Sequence, residues 1–398
     1  MKVLIITENF DTQRGGAERS TFELAYCLSE LGVQVTVAAG QIAGSDGANV
    51  PFALHVLPLR GMTRLSRRRS FEPVLAGYLA QSDFDIVHSM IPVGGADVYQ
   101  PRGGSILYSA RRHAQSYSSR WLSCFKQATA GLNRLRQYQI DRERSLCSEE
   151  HGPVIAALSQ YVKEQFKTCY HLADPRIRVI RNGIRPDSLL SQEARRQGEN
   201  LRRLYTKHQD VLLLIFAAVN YRLKGLGPLI EAASLAAPRL GSSHRDFRIL
   251  VFGSKDYEKY WRQSNRLGQG ERIIFCGATQ SIPAVLQMAD AVVLPSYNDA
   301  CSWLVLEGLA AGKPALTTRF NGACDFLGEG KYGCIVETGD DIEALAQALL
   351  QLCSRQKLEQ MKQAIQNDKL HEQVSMARHA RELLELYHQI VPNKSGTR

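Results

Sequence analysis

No stretch of the 398-residue chain approaches the roughly 18 uninterrupted apolar residues a membrane-spanning helix needs, which excludes an integral membrane protein. No small-residue cleavage site follows the opening MKVLIITENF. Its single lysine and short apolar run read as a first strand and not a secretion signal. CxxC pairs are missing, and the nine cysteines are scattered and odd in number. That pattern argues against a disulfide framework and against a zinc site, and for reduced thiols in a cytoplasm. The Gly15-Gly16 loop is neither a GxGxxG nor a Walker sequence, so dinucleotide and P-loop readings have no fingerprint there. Solenoid-period repeats are lacking. So is any recognisable nucleic-acid module, and no nucleic-acid partner is expected.

What is present is a globular composition, 44% hydrophobic and 22% charged, at a length that suits two domains. The net charge of +10 is concentrated. Residues 60–145 hold fourteen Lys/Arg against six Asp/Glu. A basic field confined to one segment points to an anionic surface met by one face.

Strand and helix alternate throughout. Val3 to Ile6, a helical period from Ala17 to Leu31, a stop at Gly32 and VQVTVAA make a βαβ opening with a right-handed crossover. FDIVHSMI, PVIAALS and RIRVIRNGI read as later strands, and 107–146 as one long helical stretch. A second cycle starts near Asp210 with VLLLIFAAV and continues through FRILVFG, RIIFCG, AVVLP and PALTT. The expectation is an α/β chain of two Rossmann-like parallel-sheet domains, 1–178 and 179–375. A helix and tail over 376–398 would follow, with the helix free to cross back to the first domain. Ligands would bind at the carboxyl ends of the strands, with the cleft between the domains as the default site.

Three loops could carry chemistry. In LPSYNDACSWLVLEGLAAGKPALTT (294–318) a strand ends, a polar loop follows and a helix begins near Ser302. This delivers Asp299 and the amides of Ala300, Cys301, Ser302 and Trp303 to the sheet edge, where helix-start N–H groups attract phosphate. Glu307, eight residues after Asp299, could accept hydrogen bonds from vicinal hydroxyls. The spacing equally allows a solvated loop acid and a surface helix acid. In AAVNYRLKGLGPLIEAA (217–233), Arg222 and Lys224 follow a buried strand, and two such cations can neutralise a diphosphate without metal. A solvated basic turn is the alternative. In TENFDTQRGGAERS (7–20), Gly15 and Gly16 precede a helix as a phosphate-approach loop or a plain turn.

Together these elements resemble the retaining glycosyltransferases of family four, which have the GT-B fold. The GGAERS loop, the RNGI turn at 181–184, the KG after the second domain's first strand and the acid-x7-Glu element stand in the expected order. The segments Phe275–Gly277 and Ala289–Ser296 fit too. The resemblance implies a metal-independent hexosyltransferase with no cofactor, using a UDP- or GDP-sugar as donor and a glycan or glycolipid as acceptor. Arg222 and Lys224 would hold the diphosphate, Glu307 the ribose, and Asp299 and the amides of 300–303 the sugar and phosphate. Gly15 and Gly16 would approach the donor from the other domain. Two departures stand out: Asp299 replaces the usual glutamate, and Val219 occupies the place of the usual arginine.

PVGGADVYQPRGG looks like the corresponding segment of lipopolysaccharide-core glucosyltransferases. That likeness puts Asp97 after a strand, on the acceptor side, where it would position or deprotonate the acceptor hydroxyl; an Asx turn is the alternative. Asp83 and Asp85 spell DxD, but at the wrong end of a strand for chemistry. His88 reads as a core residue. RLSRRR and the arginine-laced stretch with Trp121, Leu122 and Phe125 suit an anionic membrane surface met by residues 60–145. The expected place is therefore cytoplasmic, peripheral on the inner face of the plasma membrane. A nucleotide-sugar epimerase of the same fold and a non-catalytic glycan-binding protein are the alternatives.

Overall fold

The computed structural model describes residues 1–11, 16–43, 50–117, 121, 133–206, 210–279 and 281–394. The chain divides into two compact units, Met1–Arg111 with Cys124–Gly183 and Met376–Arg398, and Arg112–Ser123 with Ile184–Ser375.

The first unit is built on seven parallel strands in the order β3-β2-β1-β4-β5-β6-β7. These are β1 (Lys2–Asp11), β2 (Gln34–Ala43), β3 (Ala53–Val56), β4 (Ile86–Ser89), β5 (Val98–Tyr99), β6 (Val154–Ala157) and β7 (Ile177–Val179). Val3 to Ile6 are fully buried, the unbroken apolar run of a strand covered on both faces. The helices that matter below are α1 (Gly16–Glu30), α2 (Arg64–Leu79), α3 (Ile106–Gln115), whose residues from Arg112 on count in the second unit, and α4 (Arg134–Ser148). Phe71 and Leu75 of α2 pack on Leu4, Ile6 and Val87.

The second unit has six parallel strands in the order β10-β9-β8-β11-β12-β13. They are β8 (Val211–Ala218), β9 (Asp246–Gly253), β10 (Ile273–Gly277), β11 (Ala291–Leu294), β12 (Ala315–Thr318) and β13 (Gly333–Val336). Helices α5 (Leu226–Ala236) and α6 (Trp303–Ala310) follow β8 and β11. The strand order reverses between β8 and β11, so their two following loops diverge from one point at the carboxyl edge. The C-terminal helix α7 (Met376–Lys394) belongs to the first unit and lies against α1.

One expectation needs correcting. The stretch 107–146 is not one helix: α3 ends at Gln115 and α4 starts at Arg134, capped by the Asn133 side chain. Residues 122–132, with Leu122 and Phe125, lie outside the described residues, as does Gly15. Trp121 is exposed.

Candidate active site

The loops after β8 and β11 are tied to each other. Gly225 has φ +79° and a Cβ placed there would come within 2.1 Å of the Pro295 carbonyl oxygen, so only glycine fits. The Tyr297 amide donates to the Leu223 carbonyl at 2.9 Å. This seating brings Lys224 from one loop onto Asp299 from the other, and the two form an ion pair. Asp299 is fixed from behind. Its amide donates to Phe320 O at 2.8 Å and its carbonyl accepts from Gly322 N at 2.9 Å. Fully buried Asn321 completes the brace, its Oδ1 accepting from the Ser302 amide at 3.1 Å. The Ser302 amide is therefore committed to the fold, contrary to the expectation that all four amides of 300–303 await a ligand. Ala300, Cys301 and Ser302 are buried and Trp303 half-buried at the amino end of α6.

Arg222 is held by the last turn of α3 and the residues just after it. Its Nη1 donates to the His113 carbonyl at 3.0 Å and to the Ser116 hydroxyl, and its guanidinium stacks 3.7 Å from the Tyr117 ring centroid. Arg112 grips the neighbouring loops in the same way. Its Nε donates to Tyr297 O at 3.0 Å and its guanidinium lies 3.5 Å from the Phe320 ring centroid. Two cations thus sit at the switch point besides Lys224.

Beside this cluster a cavity of about 400 Å³ opens where β8, β9 and β10 end. Glu307 lines it, 5% exposed, with Val219, Gly253, Ser254, Thr279 and Leu304. Gly253, at φ +121°, leaves no room for a Cβ, which would stand 2.0 Å from Ala218 O. Val219, in the place of the family's arginine, is 89% exposed at the rim. A carboxylate in a largely apolar slot, whose wall residues Ala217–Val219 lead straight into the loop of Arg222 and Lys224, suits a nucleoside diphosphate.

Two family models cover most of the chain. The one described as Glycosyltransferase Family 4 matches residues 14–188, and the one described as Glycosyl transferases group 1 matches 210–355. The chain belongs to this group of glycosyltransferases. The lipopolysaccharide glucosyltransferase WaaG of Escherichia coli is 22% identical over 336 residues, covering 84% of this chain and 85% of WaaG. A crystal structure of WaaG aligns with a TM-score of 0.68 at 19% identity, over 99% of this chain and 98% of that one. The Anabaena protein HepE, solved with UDP, aligns with a TM-score of 0.70 at 16% identity over 98% of this chain and 100% of that one. The fold is GT-B.

Within this glycosyltransferase, Lys224, Asp299 and residues 300–303 come together, and Glu307 lines the adjoining cavity. Gly16 opens α1 in the first unit. Asp97 is not where the sequence suggested. It immediately precedes β5, at the amino edge of the sheet, where its carboxylate accepts from the Val87 amide at 2.7 Å. Its amide donates back to Val87 O at 2.8 Å. That is a strand-pairing role at the amino edge of the first unit's own sheet, whereas parallel sheets bind ligands at the carboxyl edge. Asp85 sits at the same edge, accepting from the Lys2 amide. His88 is fully buried against the Tyr387 hydroxyl of α7.

Sequence reasoning missed Arg112, Tyr117 and Asn321. Arg112 was counted only as one charge of a basic segment, and Tyr117 was not singled out. Asn321, in the RFNGA turn after β12, carried a turn signal that could have found it.

Proposed function

We propose that the transferase moves a hexose from a UDP- or GDP-sugar to a glycan or glycolipid acceptor with retention of anomeric configuration and without a resident metal. The observation that carries this is the juxtaposition of Lys224 and Asp299 at the β8/β11 switch point, next to the Glu307 cavity. In this reading the nucleoside enters the cavity and Glu307 accepts hydrogen bonds from the ribose. The diphosphate draws Lys224 from Asp299, and Arg222 exchanges His113 and Ser116 for phosphate oxygens. Asp299 then accepts from the sugar hydroxyls. As the anomeric C–O bond breaks, these cations stabilise the charge gathering on the leaving diphosphate. The acceptor hydroxyl attacks from the same face and passes its proton to the departing phosphate oxygen, so no separate protein base is needed and Asp97 has no part.

Binding of UDP and UDP-glucose by HepE supports a uridine donor, and the WaaG likeness supports an acceptor in lipopolysaccharide or another cell-surface glycan. The basic surface of 60–145 would hold the enzyme on the anionic inner face of the plasma membrane. No helix among the described residues is long and apolar enough to cross that membrane.

Nucleotide release from a panel of UDP-, GDP- and ADP-sugars, with EDTA present and a mixed glycolipid extract as acceptor, tests the proposal. Release that survives EDTA and falls at least tenfold in Glu307→Ala is the expected result. Donor binding without turnover would favour a glycan-binding protein. An altered free sugar without acceptor would favour an epimerase.

A further inference from the structure

The donor loops leave unexplained a cavity of about 490 Å³ in the first unit, large enough for a small charged sugar. It opens where β1 and β2 approach their carboxyl ends, the side of a doubly wound sheet on which ligands bind. Its polar lining is Glu8 and Asn9 of β1, Gln41 of β2, Arg64, Arg67 and Arg68 of α2, and Gln139 of α4. The sequence accounts for the arginines. Thr63 and Ser66 form a capping box that starts α2 at Arg64. Positions 64, 67 and 68 then share one face of its first turns.

Arg68 is 3% exposed, and neither of its Nη atoms has a hydrogen-bond partner among the described residues. It forms an ion pair with Glu8, whose Oε2 stands at 3.6 Å, beyond hydrogen-bond range. Beneath it lies the Phe71 ring, with the guanidinium 5.6 Å from the centroid. A buried guanidinium with unused N–H groups is costly unless an acceptor reaches it. An oxyanion would supply acceptors in the geometry Arg favours. Arg64 and Arg67 are exposed at the same wall, so three cations face one carboxylate.

We propose that this cavity binds the phosphate of a phosphorylated sugar, with Arg64, Arg67 and Arg68 on the phosphate. Glu8, Asn9 and Gln139 would hold the hydroxyls. The assignment of that ligand as the acceptor rests on the glycosyl-transfer reading; the anion site itself does not.

Calorimetric titration of the full chain with glucose 6-phosphate tests it. Glucose serves as the uncharged control, UDP as the reference ligand for the other unit, and phosphatidylglycerol vesicles as the lipid arm. Saturable binding of glucose 6-phosphate, weakened about tenfold or more in Arg67→Gln and in Arg68→Gln with UDP affinity unchanged, is expected. Arg67 is exposed, so its variant decides the matter if Arg68→Gln fails to fold. Equal binding by wild type and both variants, or equal binding of glucose, would overturn the proposal. So would arginine-dependent vesicle binding with which glucose 6-phosphate does not compete; the arginines would then belong to a lipid headgroup surface. Arginine-dependent binding of glucose 6-phosphate in a protein that releases no nucleotide would instead overturn the transferase reading and leave the anion site standing.

Discussion

Lys224 and Asp299 neutralise each other in the ligand-free arrangement, and each is partly shielded from water. A diphosphate offers Lys224 more charge than one carboxylate does, so donor binding frees Asp299 to accept from sugar hydroxyls. Lys224→Ala should lower kcat by about 10²–10³, the scale of losing one charge-stabilising donor, with little change in thermal midpoint. Asp299→Asn keeps the volume but frees Lys224, so it should raise nucleotide affinity while lowering transfer. Steady-state kinetics beside UDP binding would separate the two, and an Asp299→Asn variant that lost both equally would remove Asp299 from the sugar. These two residues were legible because each follows a strand whose apolar run is plain in sequence. Asp97 was misread for the converse reason. Strand β5 has only Val98 and Tyr99, too short to show a pattern, so a residue preceding β5 passed for one following β4.

At the scale of elements, the site depends on two loops being held together, and Gly225 is the point of contact. An alanine there must take φ +79° and place its Cβ 2.1 Å from Pro295 O, so the loops must part. Gly225→Ala should destabilise the second unit by about 2 kcal/mol or more. Activity should fall further than stability alone explains, because Lys224 moves with the loop. Denaturant unfolding compared with UDP affinity at a temperature where both proteins are folded checks this; unchanged UDP affinity would contradict it. KG was visible in sequence, but its partner Pro295 was not, since the contact joins loops seventy residues apart. The same limit hid the break in 107–146, and it hid Glu143. Counted there as one charge of a basic helix, Glu143 is fully buried and accepts from Tyr99 Oη at 2.9 Å, Tyr170 Oη at 2.6 Å and the Ile106 amide at 2.8 Å. It anchors the start of α3, and only the fold reveals that.

For the whole molecule, the two units differ in how they meet acid. Among the described residues the fully buried histidines, His88 and His379, are both in the first unit. Burial, reinforced by the Arg102 guanidinium, lowers His88 to about 3. His379 is lowered by burial and then by Arg102 and Arg378, against the opposing effect of its Nδ1–H donating to Arg181 O at 2.7 Å. Above pH 6.5 these rings are neutral in both folded and unfolded chains. As pH falls from 6.5 towards 3 the unfolded chain takes up the protons and the native one does not, so stability is lost on acidification. His88 alone should remove about 2 kcal/mol by pH 5, and His379 acts in the same direction. The three tryptophans, Trp121, Trp261 and Trp303, all belong to the second unit, so their fluorescence reports that unit, whereas far-ultraviolet circular dichroism reports both. Between pH 7.5 and 5 the dichroism melt should therefore move to lower temperature ahead of the tryptophan melt. His88→Gln should narrow the gap. Melts that stayed superimposed down to pH 5 would mean that the units unfold as one or that the buried rings are not what acid attacks.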